Sequence, residues 1–260
     1  MNKDLINDVK SLLETVAQFQ LEHFRNIQVV DEKARKEFVS FVDIESEEKL
    51  QAGLKEILPE AGFYGEETGK HGNQDLTWIV DPIDGTTNYI SGLEQFSISV
   101  ALAEHGQPIA GVVYKPYGGD CFSAIKGQGA FLNDEPLNQL EIRELSTSLI
   151  GTGFPYRSPD LHETFFHCAG DILKASRGLR RLGSAALDLS YVAAGFFQGF
   201  WESELQCYDV AAAVVLMHET GAILTNEKGN PYDIFNDRIL VAACPGTHEE
   251  LLKIVSKHYS

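Results

Sequence analysis

The chain has 260 residues, of which 43% are hydrophobic and 23% charged, a balance that excludes wholesale disorder and supports a sizeable core. Lys plus Arg number 21 and Asp plus Glu 38, for a formal net charge of −17. So acidic a surface repels phosphate backbones and disfavours broad nucleic-acid binding, and no apolar run reaches the roughly 20 residues that cross a bilayer.

The first ten residues, Met1 to Lys10, contain no apolar h-region, so no secretory signal is expected. Leu5, Val9, Leu12, Leu13, Val16 and Phe19 recur at helical spacing and predict an amphipathic helix packed on a core. Its polar face mixes acids with Lys, which suits a solvated face better than a membrane surface. An extended stretch is expected over Glu37–Val42, then a helix from about Asp43 with Leu50, Leu54 and Ile57 on one face.

The middle of the chain reads as sheet. Thr77–Val80 is a β-prone apolar run, and Phe96–Leu102 alternates with period two. Glu104-His105-Gly106-Gln107 reads as a turn, with the next strand over Gly111–Tyr114 and a further turn at Lys126–Gly129. Beyond, strand candidates at Leu149–Gly151, Ala222–Leu224 and Ile239–Ala243 alternate with helices over Ser184–Ala194 and Val210–His218. Thr247-His248-Glu249-Glu250 has the spelling of a capping box opening a last helix. The mixture predicts layered α/β architecture, with a seam near residue 145 between an N-terminal part (1–145) and a C-terminal part (146–260). Cys121, Cys168, Cys207 and Cys244 form no C-x-x-C pair and are expected as small buried thiols of a reducing cytoplasm.

The chemistry concentrates in Trp78-Ile79-Val80-Asp81-Pro82-Ile83-Asp84-Gly85-Thr86-Thr87-Asn88-Tyr89. An apolar strand is expected to stop at Pro82, which cannot continue a ladder. Two carboxylates then stand beside the backbone N–H groups of a starting helix, oxygen ligands for a hard cation next to an anion site. Taken singly, Glu67 reads as a solvated charge and Asp209 as a helix cap.

Asp81-Pro82-Ile83-Asp84-Gly85-Thr86-Thr87-Asn88 resembles the signature of the inositol monophosphatase family of Mg2+-dependent, lithium-sensitive phosphatases. Gly65-Glu66-Glu67 is similar to the family's acidic element, and Val39-Ser40-Phe41-Val42-Asp43 to its upstream element. Gly183-Ser184-Ala185-Ala186 resembles its substrate loop, and Tyr208-Asp209-Val210-Ala211-Ala212 its second signature. Thr87-Asn88-Tyr89 resembles the inositol branch. The resemblance implies a five-layer αβαβα sandwich and a homodimer. By the same resemblance, Glu66, Asp81 and the Ile83 carbonyl hold one Mg2+, Asp81, Asp84 and Asp209 a second, and Glu66 helps hold a third, with Asp43 nearby. Gly85 and Thr86 receive the phosphate. Ser184, Ala185 and Glu202 face the alcohol, beside Arg181 and Gly183. The implied nucleophile is a water oriented by Glu66, Thr86 and Asp43, with no covalent phosphoenzyme. The same chemistry on fructose 1,6-bisphosphate, 3′-phosphoadenosine phosphate or histidinol phosphate is the alternative, as is a partner role in transcription complexes. Three positions depart from the family pattern: Val42 stands where a polar residue is common, and Ala213 and Glu204 where Gly is common.

Overall fold

The computed structural model describes residues 3–26, 31–34 and 37–259. Met1 and Asn2, at the head of the expected first helix, lie outside the described residues, as does the side chain of Val39. Helix α1 (Lys3–His23) leads to a short hairpin of β1 (Asp31–Ala34) and β2 (Glu37–Val39), then α2 (Phe41–Ile57). The extended stretch expected over Glu37–Val42 ends two residues early. Ser40 caps α2 in a reciprocal box with Asp43, so Phe41 and Val42 are already helical.

An eight-stranded sheet follows. Its strands are β3 (Gly62–Gly65), β4 (Gly69–His71), β5 (Leu76–Asp84), β6 (Ser97–Glu104), β7 (Gln107–Lys115), β8 (Asp120–Ile125), β9 (Ala130–Leu132) and β10 (Glu135–Pro136). Their order is β10-β9-β8-β7-β6-β5-β3-β4. A one-turn helix, α3 (Thr86–Ile90), leaves the end of β5. The predicted turn between β6 and β7 is a two-residue loop, His105 and Gly106, both at positive φ (48° and 76°), the backbone that matches strand twist.

The second sheet has order β12-β11-β13-β15-β14, from β11 (Leu149–Thr152), β12 (Gly178–Arg180), β13 (Gly199–Ser203), β14 (Ile223–Thr225) and β15 (Ile239–Ala243). Its helices are α4 (His162–Ala175), α5 (Ala185–Ala193), α6 (Cys207–Thr220) and α7 (Thr247–Tyr259). Thr247 and Glu250 do not spend their side chains on each other as the capping-box spelling predicts. The Thr247 hydroxyl donates to the Arg143 carbonyl at 2.9 Å, and Glu250 accepts the Leu145 N–H at 3.0 Å, fastening α7 to the segment before β11.

Alternation along the strands builds the layers. Trp78, Val80, Val100 and Leu102 face Val9, Leu13 and Leu54 of α1 and α2, while Ile79 and Ala101 face the opposite way. There they meet α5 and α6, which also cover Phe200, Leu240 and Ala242 of the second sheet. Trp201, Val241 and Ala243 point to the far side, against Phe165, Ile172, Leu251 and Val255 of α4 and α7. The result is the expected αβαβα sandwich. In its central layer α6 rides close on β7: a Cβ on Gly111 would stand 2.3 Å from the Ala212 carbonyl. That approach brings the N-terminus of α6, with Asp209, to the end of β5. No described helix is long and apolar enough to cross a membrane.

Candidate active site

On a regular strand, residues three apart face opposite sides of the sheet. Asp81 and Asp84 escape this because β5 bulges between them. Asp81 pairs with Ser99 and Asp84 with Ser97, so three steps on β5 oppose two on β6 and both carboxylates emerge on one face. The strand therefore continues through Pro82, contrary to the expectation that it stops there. Pro82 sits inside the bulge, where a missing N–H costs no ladder bond. Asp81 Oδ1 accepts the Ile83 N–H at 2.9 Å and shapes the bulge from within.

Asp209 joins the pair from another layer. It is the third residue of α6 and accepts the Gln206 N–H at 2.7 Å; Gln206 is the cap, and Asp209 is its capping-box partner within the first turn rather than the helix cap that its sequence position predicts. Asp81, Asp84 and Asp209 are all buried, and each offers an oxygen within 4.8 Å of the others. Glu66 donates its N–H to the Val80 carbonyl at 3.1 Å, which sets its carboxyl beside that of Asp81 in a shared hydrogen bond. Desolvation first, then repulsion from Glu66, Asp84 and Asp209, holds the Asp81 carboxyl well above the usual carboxylate range.

Asp43 approaches on α2. Its Oδ2 takes the Ser40 N–H and hydroxyl (2.9 and 2.7 Å), and its Oδ1 lies 3.1 Å from the Thr86 hydroxyl. Thr86 Oγ1 also lies 3.0 Å from the Ile83 carbonyl. Beneath them Val42 packs with Ile83, Tyr89 and Phe96, which accounts for an apolar residue where a polar one is common.

The loop before α5 also holds the acid cluster. Ser184 and Ala185 line the cavity, yet the Ser184 hydroxyl and the N–H groups of Ala185 and Ala186 all point to the Asp84 carboxylate, at 2.5, 3.2 and 2.7 Å. Asp84 thus satisfies the orphan donors of a helix start, and these bonds oppose the burial that raises its pKa. Gly85 and Gly183 meet nearby at positive φ (96° and 94°), and Asn88 Nδ2 bridges the carbonyls of Gln95 and Leu182 across the contact.

A cavity of about 160 Å³ opens beside the acids, walled by Asp84, Ser184, Arg181, Glu202, Asp209 and Tyr156. The Arg181 guanidinium lies 5.3 Å from the ring centres of both Phe154 and Tyr156. Burial and the neighbouring Asp209 and Asp188 push the Glu202 carboxyl well up. Glu202 packs directly on Gly153, where a Cβ would stand 1.7 Å from Oε1. Gly153→Ala is expected to displace Glu202 and raise KM for a hydroxyl-bearing substrate by about tenfold while kcat changes less, since one buried hydrogen bond is lost. Steady-state kinetics checks this.

Several contributing residues escape sequence reading. Glu47, one turn after Asp43 and 1% exposed, accepts the N–H groups of Glu67 and Thr68, both at 2.8 Å. A Cβ on Gly65 would stand 2.4 Å from that carboxylate, so strand, helix and the loop bearing Glu66 lock together. An i, i+4 pair of acids on a capped helix was the available signal. The departure already visible at Glu204 also finds its reason: at φ 64° it holds the backbone that explains a family preference for Gly, and Arg238 secures it through an ion pair with its carboxylate. Arg157, 3.9 Å from Asp209, has no motif to announce it.

Comparison with known proteins accords with this geometry. The sequence profile described as the inositol monophosphatase family matches residues 2–260. The chain is 37% identical over 257 residues to a putative Nus factor SuhB of Neisseria meningitidis serogroup B, covering 97% of this chain and 98% of that one. It is 38% identical over 238 residues to an inositol-1-monophosphatase of Mesorhizobium japonicum, covering 91% and 89%. The crystal structure of extragenic suppressor protein suhB from Bartonella henselae superposes with a TM-score of 0.92 at 33% identity, covering 98% of this chain and 99% of that one. With that family model matched from residue 2 to 260, the chain belongs to the inositol monophosphatase family.

Proposed function

We propose that this chain is a Mg2+-dependent phosphomonoesterase acting on inositol monophosphate or a similar small polyol phosphate. The observation that carries the reading is the bulge in β5, which turns Asp81 and Asp84 to one face where Asp209 meets them. Relatives named inositol-1-monophosphatase, at 38% and 37% identity, support it. The donor set fits a hard divalent cation: the clustered groups are carboxylates, and a cation relieves both their burial and their repulsion. Glu66, Asp81, Asp84, Asp209 and the Ile83 carbonyl would hold two or three such ions. When bound, Mg2+ supplies electrostatic stabilisation of the charge on the phosphoryl and leaving oxygens.

The chain's own groups do the rest. Asp43 Oδ1 accepts the Thr86 hydroxyl hydrogen, which leaves the Thr86 oxygen to accept one from a water. Glu66 also helps orient that water, whose remaining lone pair is left to attack phosphorus. Backbone N–H groups of Gly85 and Thr86 receive the phosphate oxygens. Glu202 accepts from a substrate hydroxyl, with Arg181, Gly183, Ser184 and Ala185 closing the wall. Burial pushes the Cys207 and Cys168 thiols up to about 11 and about 12, leaving neither poised as a nucleophile, so the proposed hydrolysis is a single displacement by water.

The test is phosphate release from inositol 1-phosphate with and without Mg2+, beside fructose 1,6-bisphosphate and 3′-phosphoadenosine phosphate. Release that requires Mg2+ and favours the inositol ester is expected. Preference for either of the other esters, or release indifferent to metal, would overturn the assignment. A second reading has its own support in the relatives named Nus factor SuhB. It is a partner role in a transcription complex, where a −17 charge suits a basic protein surface. Salt-sensitive retention of transcription factors by the Asp84→Asn chain would favour it.

A further inference from the structure

One buried acid in the substrate cavity is used neither by the metal cluster nor by the water. Asp188 lies on α5 one turn beyond Ser184, its N–H bonded to the Ser184 carbonyl at 3.0 Å. It is 1% exposed and forms part of the same cavity wall as Glu202 and Arg181. The Leu182 N–H supplies its carboxylate with one donor, yet Oδ1 has no hydrogen-bond partner. In the same cavity wall, buried Arg181 Nε has none either, so the two atoms do not satisfy each other. Native interiors seldom leave an acceptor and a donor unmet around one cavity, because each loses its water without replacement. A small group that donates and accepts at once, an alcohol hydroxyl, would satisfy both.

The charge of the wall narrows the ligand. Asp84, Asp188, Glu202, Glu204 and Asp209 face it against two cations, Arg157 and Arg181. A second phosphate on the alcohol would meet that excess of acid, whereas neutral hydroxyls find acceptors everywhere. We propose that Asp188 is a specificity-determining residue: its free Oδ1 accepts a hydrogen bond from a hydroxyl on the alcohol portion of the ester, and Arg181 Nε donates to a hydroxyl oxygen of that portion. This rests on the phosphomonoesterase reading above and adds that the alcohol is a neutral polyol recognised on its Asp188 side as well as at Glu202.

Asp188→Asn tests it cleanly. The amide oxygen can keep the Leu182 N–H, while the amide nitrogen turns the unpartnered acceptor into a donor. The quantity to read is the ratio of kcat/KM for inositol 1-phosphate to kcat/KM for phenyl phosphate, whose alcohol carries no further hydroxyl. The ratio is expected to fall about tenfold, mainly through KM, as one buried hydrogen bond is lost and its partner left unmet. Arg181→Lys, which keeps the charge and removes Nε, is expected to lower the ratio in the same direction. An unchanged ratio in both variants, or equal losses on the two esters, would make Asp188 a structural acid satisfied by water and overturn the proposal. Calorimetric titration with inositol 1-phosphate separates the two readings. Weaker binding by Asp188→Asn sustains the hydroxyl site even where the parent releases no phosphate, and equal binding by parent and variant removes it.

Discussion

Replacing Asp81 with asparagine is expected to cut phosphate release by on the order of a thousandfold, about 4 kcal/mol of lost transition-state stabilisation. Asp81 is 2% exposed, stands between Glu66 and the Asp84–Asp209 pair, and would be shared by two ions. The amide oxygen can still take the Ile83 N–H that shapes the bulge, so the loss is one of charge rather than of fold. Stability should move the other way. The folded protein holds the Asp81 carboxyl above its ordinary value, so the metal-free native state binds more protons there than the unfolded chain does. That contribution is fully present below about pH 4 and is lost as pH rises through the elevated value. Asp171 has the opposite sign: hydrogen bonds from Lys257 and His258 hold its carboxyl far below the usual range, and its contribution is lost only as acidity increases beyond about pH 4. In chelator, the parent's Tm should therefore decline from pH 5 to pH 8, and Asp81→Asn should decline less and melt higher at pH 8. Saturating Mg2+ should flatten the parent's slope. Scanning calorimetry across that range checks both signs.

Glu47→Ala is expected to be the most damaging change outside the acid cluster. It strips the acceptor from the Glu67 and Thr68 N–H groups and empties the place against Gly65 that the carboxylate fills. Losing two hydrogen bonds to a buried charged acceptor costs about 3 kcal/mol, a fall in Tm of roughly 6–12 °C for a chain of this size. The loop then carries Glu66 less firmly beside Asp81, so kcat should fall about tenfold and the Mg2+ concentration for half-maximal rate should rise. Calorimetry with a Mg2+ titration of the rate separates these effects. Glu47→Gln, with one acceptor oxygen left, should lie between.

The parts of this molecule that follow from short-range pattern are legible in its sequence. Alternation over 96–102, the Glu104–Gln107 turn and the helical stripe from Leu5 to Phe19 need only their own neighbours, and each stands where the pattern puts it. The acids were found by the spelling of the motifs, which carries more than local physics does. What local reasoning missed depends on partners distant in the chain. Pro82 reads as a stop until Ser97 and Ser99 supply the register that makes it a bulge. Ser184 and Ala185 line the cavity as the resemblance implies, but that α5 starts where Asp84 can cap it is invisible locally. Thr247 and Glu250 spell a capping box, yet Arg143 and Leu145, over a hundred residues away, draw both side chains off. Asp209 reads as a cap, but α6 starts two residues before it and Gln206 is the cap, with Asp209 bonded back to it. Only the packing of α6 on Gly111 and β7 makes it a member of the cluster as well. Helix α4 has a buried side, Phe165, Cys168 and Ile172, interleaved with Phe166 and Leu173, which are more than half exposed, and that blurs its period.

The most direct measurement is anomalous diffraction from crystals soaked in Mn2+, a cation that takes the same oxygen ligands as Mg2+. A peak within coordinating distance of Asp81, Asp84 and Asp209 is the expected result, lost on soaking Asp81→Asn under the same conditions. Manganese that binds elsewhere, or leaves those three carboxylates bare at saturating concentration, would contradict a site built around cations.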